Sequence, residues 1–415
     1  GGHQLCFFVI AMACHGELAR TRPAPRHLTG FYVALSFGGM VGGLFAGLIA
    51  PFTFSWIAEY PILIALAALC RPPLRARWPR LARWYWAALP AVSGGGWCDW
   101  LDERRIYVIG ALGVLAALVA LVPRGNRWQV AATVALALLL LRVYSSDEGR
   151  VTTVRSFFGV HKIVATPNGR FHVLMHGTTI HGAERMLNDD GTRVTGRPEP
   201  ISYYAQDGGI GRAIAAIRAR KNGTLACAAE PGEDWRFFEI DQTMIDTARD
   251  PRHFTFMAKC MPEMRPVLGD ARLTFAREPD GGYDLVIVDA YSSDAIPVHL
   301  ATREAMAIYR AKLAPRGAVL MHVSNRHLDL AGVAAGIADA NGLTSWRFNE
   351  DSGRDDAYVF TTDVVLSARD VADIGDLAAD EKWVKTTAPA DQRVWTDDYS
   401  NILGAAWRRL RDGDD

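Results

Sequence analysis

The sequence carries no surplus of charge. Its 415 residues hold 45 Lys and Arg against 45 Asp and Glu, so the basic footprint of a nucleic-acid-binding protein is missing. Cysteine is scarce and scattered: Cys6, Cys14, Cys70, Cys98, Cys227 and Cys260, with no CxxC pair. That spacing excludes a zinc site and a disulfide framework, and predicts reduced, inert thiols. Charge is also sparse within the long apolar runs, most of which lie in residues 1–143. The remainder reads as an ordinary soluble α/β chain, and the length suits two or three domains.

What is present in the first part is membrane-like. Leu28 to Ala50 is uncharged and meets the roughly 20 residues needed to span a bilayer. Its Gly38, Gly39, Gly42, Gly43 and Gly47 offer small residues for close helix packing in lipid. Ile106 to Val122 and Trp128 to Leu141 are shorter candidates. Phe54 to Leu69 carries Glu59, a costly residue in lipid without an interface or partner. Leu5 to Cys14 is too short to span. No basic region precedes it, which argues against a signal peptide. The apolar start predicts a piece of a longer membrane protein. Two basic loops, Arg20–Arg26 and Arg71–Arg83, predict cytoplasmic turns. Residues 1–143 are therefore expected to form an α-helical transmembrane bundle, multi-pass, in the inner or plasma membrane.

In the second part the informative feature is a set of acids at strand ends. Leu285 to Val288 is an apolar run closed by Asp289, with Ser292, Ser293 and Asp294 in the turn beyond. A buried parallel strand reads as such a run, and ligands sit beyond the carboxyl ends of strands in open α/β sheets. Arg236 to Ile240 carries Glu239 and is followed by Asp241. Val267-Leu268 is followed by Gly269-Asp270. The bland alternative for each acid is a helix cap. Upstream, Val151 to Thr166 and Arg170 to His176 read as strands, joined by a Pro167-Asn168-Gly169 hairpin turn. His176 and His181 stand five apart in a glycine-flanked stretch with no third ligand nearby, so no metal is expected. Substrate contact or proton handling remains open for them beside a plain polar-loop reading.

These strand-end acids, with Pro200-Ile-Ser-Tyr-Tyr204, His299-Leu300, Thr302-Arg-Glu-Ala305 and Trp395-Thr-Asp-Asp-Tyr-Ser-Asn-Ile-Leu403, resemble the spermidine synthase (polyamine aminopropyltransferase) family. Its membrane-fused branch, with transmembrane helices ahead of the synthase-like domain, is the nearest match. His15–Arg20 and Glu59-Tyr60-Pro61 look like that branch's loop motifs. The resemblance implies a small β domain over 144–206 and a Rossmann-like, methyltransferase-type sheet over 207–410. It implies aminopropyl transfer from decarboxylated S-adenosylmethionine, a co-substrate rather than a resident cofactor, to a diamine such as putrescine. Asp289 matches the family's catalytic Asp and Asp294 its amine anchor. Glu239 matches the ribose acid and Asp270 the residue receiving the adenine amino group. His176 stands where the soluble enzymes have the Asp of their substrate loop, here Leu174 to Gly182. Glu184 stands where the branch usually has Gln. Tyr203 and Tyr204 match the paired aromatics that hold the amine chain. A homodimer is left open, as is support of the site by His322-Val-Ser-Asn-Arg326.

One part of the pattern is missing. A nucleoside-binding sheet of this kind needs a first strand and a glycine turn, placed between the helix Arg212–Lys221 and the strand at Arg236. The chain offers only Asn222 to Gly232, in which Gly223-Thr224-Leu225 looks like the end of that turn. The stretch reads as if about ten residues were deleted, judged against the usual doubly wound pattern. Gly208-Gly-Ile-Gly211 does not replace them, since no strand precedes it. The gap keeps two rivals open: a methyltransferase using intact S-adenosylmethionine, and a membrane transport or polyamine-sensing protein that binds without catalysis.

Overall fold

A computed structural model describes residues 2–70, 128, 131, 134–135, 149–177, 179–218, 232–290, 297–325, 327–350, 358–360 and 362–412. It divides into two compact units, Gly1–Glu148 and Gly149–Asp415.

In the first unit, α1 spans Gly2–Arg20, and α2 begins at Leu28–Leu44. It continues through a wider turn at Phe45–Ile49 into Ala50–Thr53, giving one helix over Pro25–Thr53. Pro25 suits a helix start, where a missing N–H costs nothing. This is the single helix among the described residues long and apolar enough to cross a membrane. Its glycine face is open. Nothing described lies within 4 Å of a Cβ built at Gly38, Gly39, Gly42, Gly43 or Gly47. The run with Glu59 becomes a shorter helix, α3 (Glu59–Ala67), with the acid in its first turn, where the helix dipole favours negative charge. The expected spans at 106–122 and 128–141 lie almost wholly outside the described residues.

The second unit opens with a four-stranded antiparallel sheet: β1 (Arg150–Ser156), β2 (Gly159–Ala165), β3 (Phe171–His176) and β4 (Thr179–Arg185). The run Val151–Thr166 is thus two strands. It folds back at Phe157-Phe158, where Gly159 takes φ 151°. The hairpin at Gly169 forms as the sequence predicts, with φ 67°. The stretch Leu174–Gly182 is a tight strand reversal, not an extended loop. Its ends belong to β3 and β4, because Met175↔Ile180 and His176↔Thr179 pair directly.

The remaining elements are α4 (Gly209–Arg218), β5 (Phe238–Glu239), α5 (Gln242–Arg249), α6 (Phe256–Cys260), β6 (Val267–Leu268), α7 (Ala271–Phe275) and β7 (Tyr283–Val288). They continue with α8 (Arg303–Lys312), β8 (Leu313–His322), α9 (Ala331–Asp339), β9 (Thr344–Glu350), β10 (Thr362–Ala368), β11 (Trp383–Thr386) and α10 (Ile402–Asp412). A five-stranded sheet runs β11-β9-β10-β8-β7, and β5 and β6 form a separate parallel pair. Residue alternation along β8 serves two cores. Val319 and Met321 pack with Met306, Tyr309 and Ile337 of α8 and α9. Ala318 and Leu320 pack with Ile210 and Ile214 of α4. The result is a layered sheet with helices on both faces, as a continuous apolar strand requires.

The segment expected to lack the first strand and its glycine turn, 222–231, lies outside the described residues. The expected strand Arg236–Ile240 shrinks to Phe238–Glu239, which pairs in parallel with β6 among the described residues. The expected helix Arg212–Lys221 starts earlier, at Gly209. The Gly208–Gly211 run serves packing: a Cβ on Gly209 would stand 2.6 Å from Val364 Cγ2 and 2.8 Å from Phe348 Cδ1. One expectation about cysteine is corrected. Cys260 is disulfide-bonded, so it is not a reduced thiol.

Candidate functional site

Asp289 is the residue after β7 and sits at the sheet's carboxyl end. Ile287↔Leu320 and Val288↔Met321 are parallel partners, so Asp289 falls beside His322, the last residue of β8. Its carboxylate is held from two elements. His322 Nδ1 donates to Oδ1 at 2.7 Å, and the Tyr204 hydroxyl donates to Oδ2. A carboxylate only accepts, which fixes the proton on Nδ1. Burial alone would raise the Asp289 carboxyl. The His322 charge and hydrogen bond, the Tyr204 bond and the nearby His181 outweigh it, and the group is held below the usual carboxylate range.

Tyr203 and Tyr204 sit in one helical turn, ring centroids 4.5 Å apart. Ser202 enters that turn with φ 60°, an uncommon conformation that aims the two rings. Tyr203 donates to the His181 carbonyl at 2.6 Å and lies 4.9 Å from the His322 ring. Burial first, and the Asp289 charge next, hold both phenols well above their ordinary range. They remain donors.

A cavity of about 720 Å³ fills the space between β5 and β7. Glu239, Asp289 and Tyr204 all line it, with Phe238, Phe275 and Tyr283. Burial pushes the Glu239 carboxyl up, and the Asp241 N–H it accepts at 2.9 Å works the other way. The cavity therefore brings together the expected ribose acid and the expected base. Ala271, rather than Asp270, lines it. The Asp270 carboxylate caps α7 through the Leu273 N–H at 3.0 Å and accepts from His299 at 2.9 Å. Gly223 and Asp294 lie outside the described residues.

His176 and His181 gather with a residue that sequence reading passes over. His161 lies opposite His176 in the β2–β3 register, ring centroids 4.5 Å apart, and His176 lies 5.7 Å from His181. The signal was available in the period-two alternation after Gly159, once the turn there is recognised. His161 is 6 % exposed, and its Nε2 stands 3.6 Å from Asp241 Oδ2. Asp241 caps α5 through Thr243 N–H at 2.9 Å and accepts the Ser156 hydroxyl at 2.5 Å. Burial, then repulsion from His176, lowers His161 to about 4, against the pull of Asp241. His176 is lowered by burial as well. Among the described residues no three His, Cys, Asp or Glu side chains form a metal-ligating group.

Two supporting contacts explain other parts of the motif pattern. Glu184 accepts from the Thr255 N–H at 2.7 Å, the Thr255 hydroxyl at 2.5 Å and the Phe256 N–H at 3.3 Å. It caps α6 and ties β4 to it. Trp395 is fully buried. Asp397 holds Arg272 through two bonds, 2.7 and 2.8 Å, and accepts from Thr302 at 2.9 Å.

No family model matches the chain, and no curated protein does. Among solved structures it is similar to a probable spermidine synthase from Corynebacterium glutamicum ATCC 13032, at 14% identity over 53% of this chain and 79% of that one, with a TM-score of 0.37. It is also similar to the spermidine synthase of Thermotoga maritima, at 10% identity over 64% and 88%, with a TM-score of 0.37. A third similar structure is MNMC2 from Aquifex aeolicus, at 13% identity over 62% and 79%, with a TM-score of 0.30. Likenesses this distant say nothing about what the chain acts on.

Proposed function

We propose that the chain is a membrane-bound, spermidine synthase-like aminopropyltransferase. It would move the aminopropyl group of decarboxylated S-adenosylmethionine onto a diamine such as putrescine, releasing methylthioadenosine. The observation that carries this reading is the shared cavity of Asp289 and Glu239, with an ionised Asp289 at its sheet end. An ammonium nitrogen attacks only after losing a proton, and a fixed carboxylate can bind it and guide that loss. The sulfonium is already an activated leaving group, so alignment of nitrogen, carbon and sulfur is most of the work. Tyr203 and Tyr204 suit an aliphatic chain with charged ends.

The test is turnover by the full chain in detergent with decarboxylated S-adenosylmethionine and putrescine, followed by methylthioadenosine release. Asp289→Asn should keep the fold and cut turnover about 10²-fold or more. A variant as fast as wild type would remove Asp289 from the reaction. In this reading the second unit faces the cytoplasm, where the donor is made. A C-terminal reporter active only outside the cytoplasm would end the aminopropyl-transfer reading.

A second reading is a polyamine-sensing or transport protein that does not catalyse, motivated by the short stretch of sequence between Lys221 and Arg236. Polyamine binding with no methylthioadenosine release would select it.

A further inference from the structure

We infer that Ser324 and His322 are positioning residues for Asp289, the last links of a polar rail laid across the carboxyl end of the sheet. The rail begins on β9. Arg347 donates to both oxygens of Asp363, at 2.8 and 2.7 Å. The Asp363 N–H, at the start of β10, donates to Ser324 Oγ at 2.8 Å. Ser324 Oγ lies 2.8 Å from His322 Nε2, and His322 Nδ1 lies 2.7 Å from Asp289 Oδ1. Tyr204 closes the far side of the carboxylate.

The local sequence makes this arrangement. His322 and Ser324 are two apart at the end of β8, so their side chains share one face. Asp289 ends the neighbouring parallel strand in register with them. With Nδ1–H donating to Asp289, Nε2 bonds the Ser324 hydroxyl, as donor when the ring is charged and as acceptor when it is neutral. Both ends of the imidazole are then held, and the ring cannot turn over without breaking two bonds. The ring in turn holds the plane of the carboxylate. His322 is 8 % exposed, so water does not substitute freely for either partner. A rail built only for stability could be replaced by apolar side chains at little cost. This one ends on a carboxylate that lines the cavity. The depressed Asp289 carboxyl is the electrostatic sign of the same contact.

The kinetic consequence rests on the aminopropyl-transfer reading; the effect on the carboxylate does not. The test uses the full chain in detergent with His322→Phe, His322→Asn, Ser324→Ala and Ser324→Thr. The first readout is the pH titration of Asp289, followed in ¹³C-aspartate-labelled protein and assigned with Asp289→Asn. His322 lowers the Asp289 pKa, so His322→Phe should move its titration to higher pH. His322→Asn, whose amide can still donate to Oδ1, should move it less. The second readout is turnover from pH 5 to 9. His322→Phe should lower kcat about 10²-fold with KM changed less than about 3-fold, the size of a misplaced reacting group. The acid limb of its profile should move to higher pH. Ser324→Ala should lose about 10-fold, and Ser324→Thr should restore most of it. An unchanged Asp289 titration in His322→Phe would overturn the inference, as would His322→Asn behaving like His322→Phe in both readouts. If wild type shows no turnover, the reaction reading fails and the titration still decides the rail.

Discussion

His161 lies directly opposite His176 across β2 and β3, with ring centroids 4.5 Å apart and, among the described residues, no hydrogen bond to either His161 ring nitrogen. The groups around it are His176, His181, Asp241 and Ser156. Two neutral imidazoles can share this space; two charged ones repel in a medium that screens poorly.

This pair predicts an acid-labile fold. The His161 pKa falls from 6.5 to about 4, so the unfolded chain binds more protons between those values and stability rises with pH there. The contribution is full above pH 6.5 and is lost as pH falls toward 4. Its size is at most about 3 kcal/mol. Thermal unfolding of the full chain should show Tm falling over that window, and His161→Phe should fall less. Parallel curves for the two proteins would refute the assignment.

Glu184 should matter as a clamp. It accepts three hydrogen bonds at the start of α6. Glu184→Ala leaves those donors unpaired and should cost about 2–3 kcal/mol. Glu184→Gln keeps a carbonyl acceptor and should cost about half as much. Equilibrium unfolding in denaturant measures both, and equal losses for Ala and Gln would contradict the clamp.

Gly209 is predicted to tolerate no side chain. A Cβ there meets Val364 and Phe348 at 2.6 and 2.8 Å. Gly209→Ala should cost about 1–3 kcal/mol by overpacking and lower Tm by several degrees. A variant melting with the wild type would show that α4 can move away from the sheet.

The last prediction concerns the nucleoside. Glu239 sits on a two-residue strand with a partner on one side, among the described residues. A displacement of 1 Å can cost about 10²-fold, so the full chain should bind methylthioadenosine weakly or not at all. Calorimetry showing micromolar affinity would mean that the nucleoside site is intact.

The sequence alone determined the elements whose signals are local. The hairpin at Gly169, β7 ending just before Asp289, and the long apolar helix that includes Leu28–Ala50 follow from turn chemistry and run length. The short stretch between Lys221 and Arg236 is also legible in the sequence, and most of it lies outside the described residues. Tertiary structure decided which groups meet. That His161 faces His176 depended on where the chain turns at Phe157-Phe158, and a shift of one residue would have sent the ring to the other face. That Asp270 spends its carboxylate on a cap and His299 while Asp289 reaches a cavity depended on which helix follows each strand, and how closely. Ser324 entered the network only because β8 and β10 are antiparallel neighbours, a pairing set by the packing of α4, α8 and α9 and by no short-range signal in the chain.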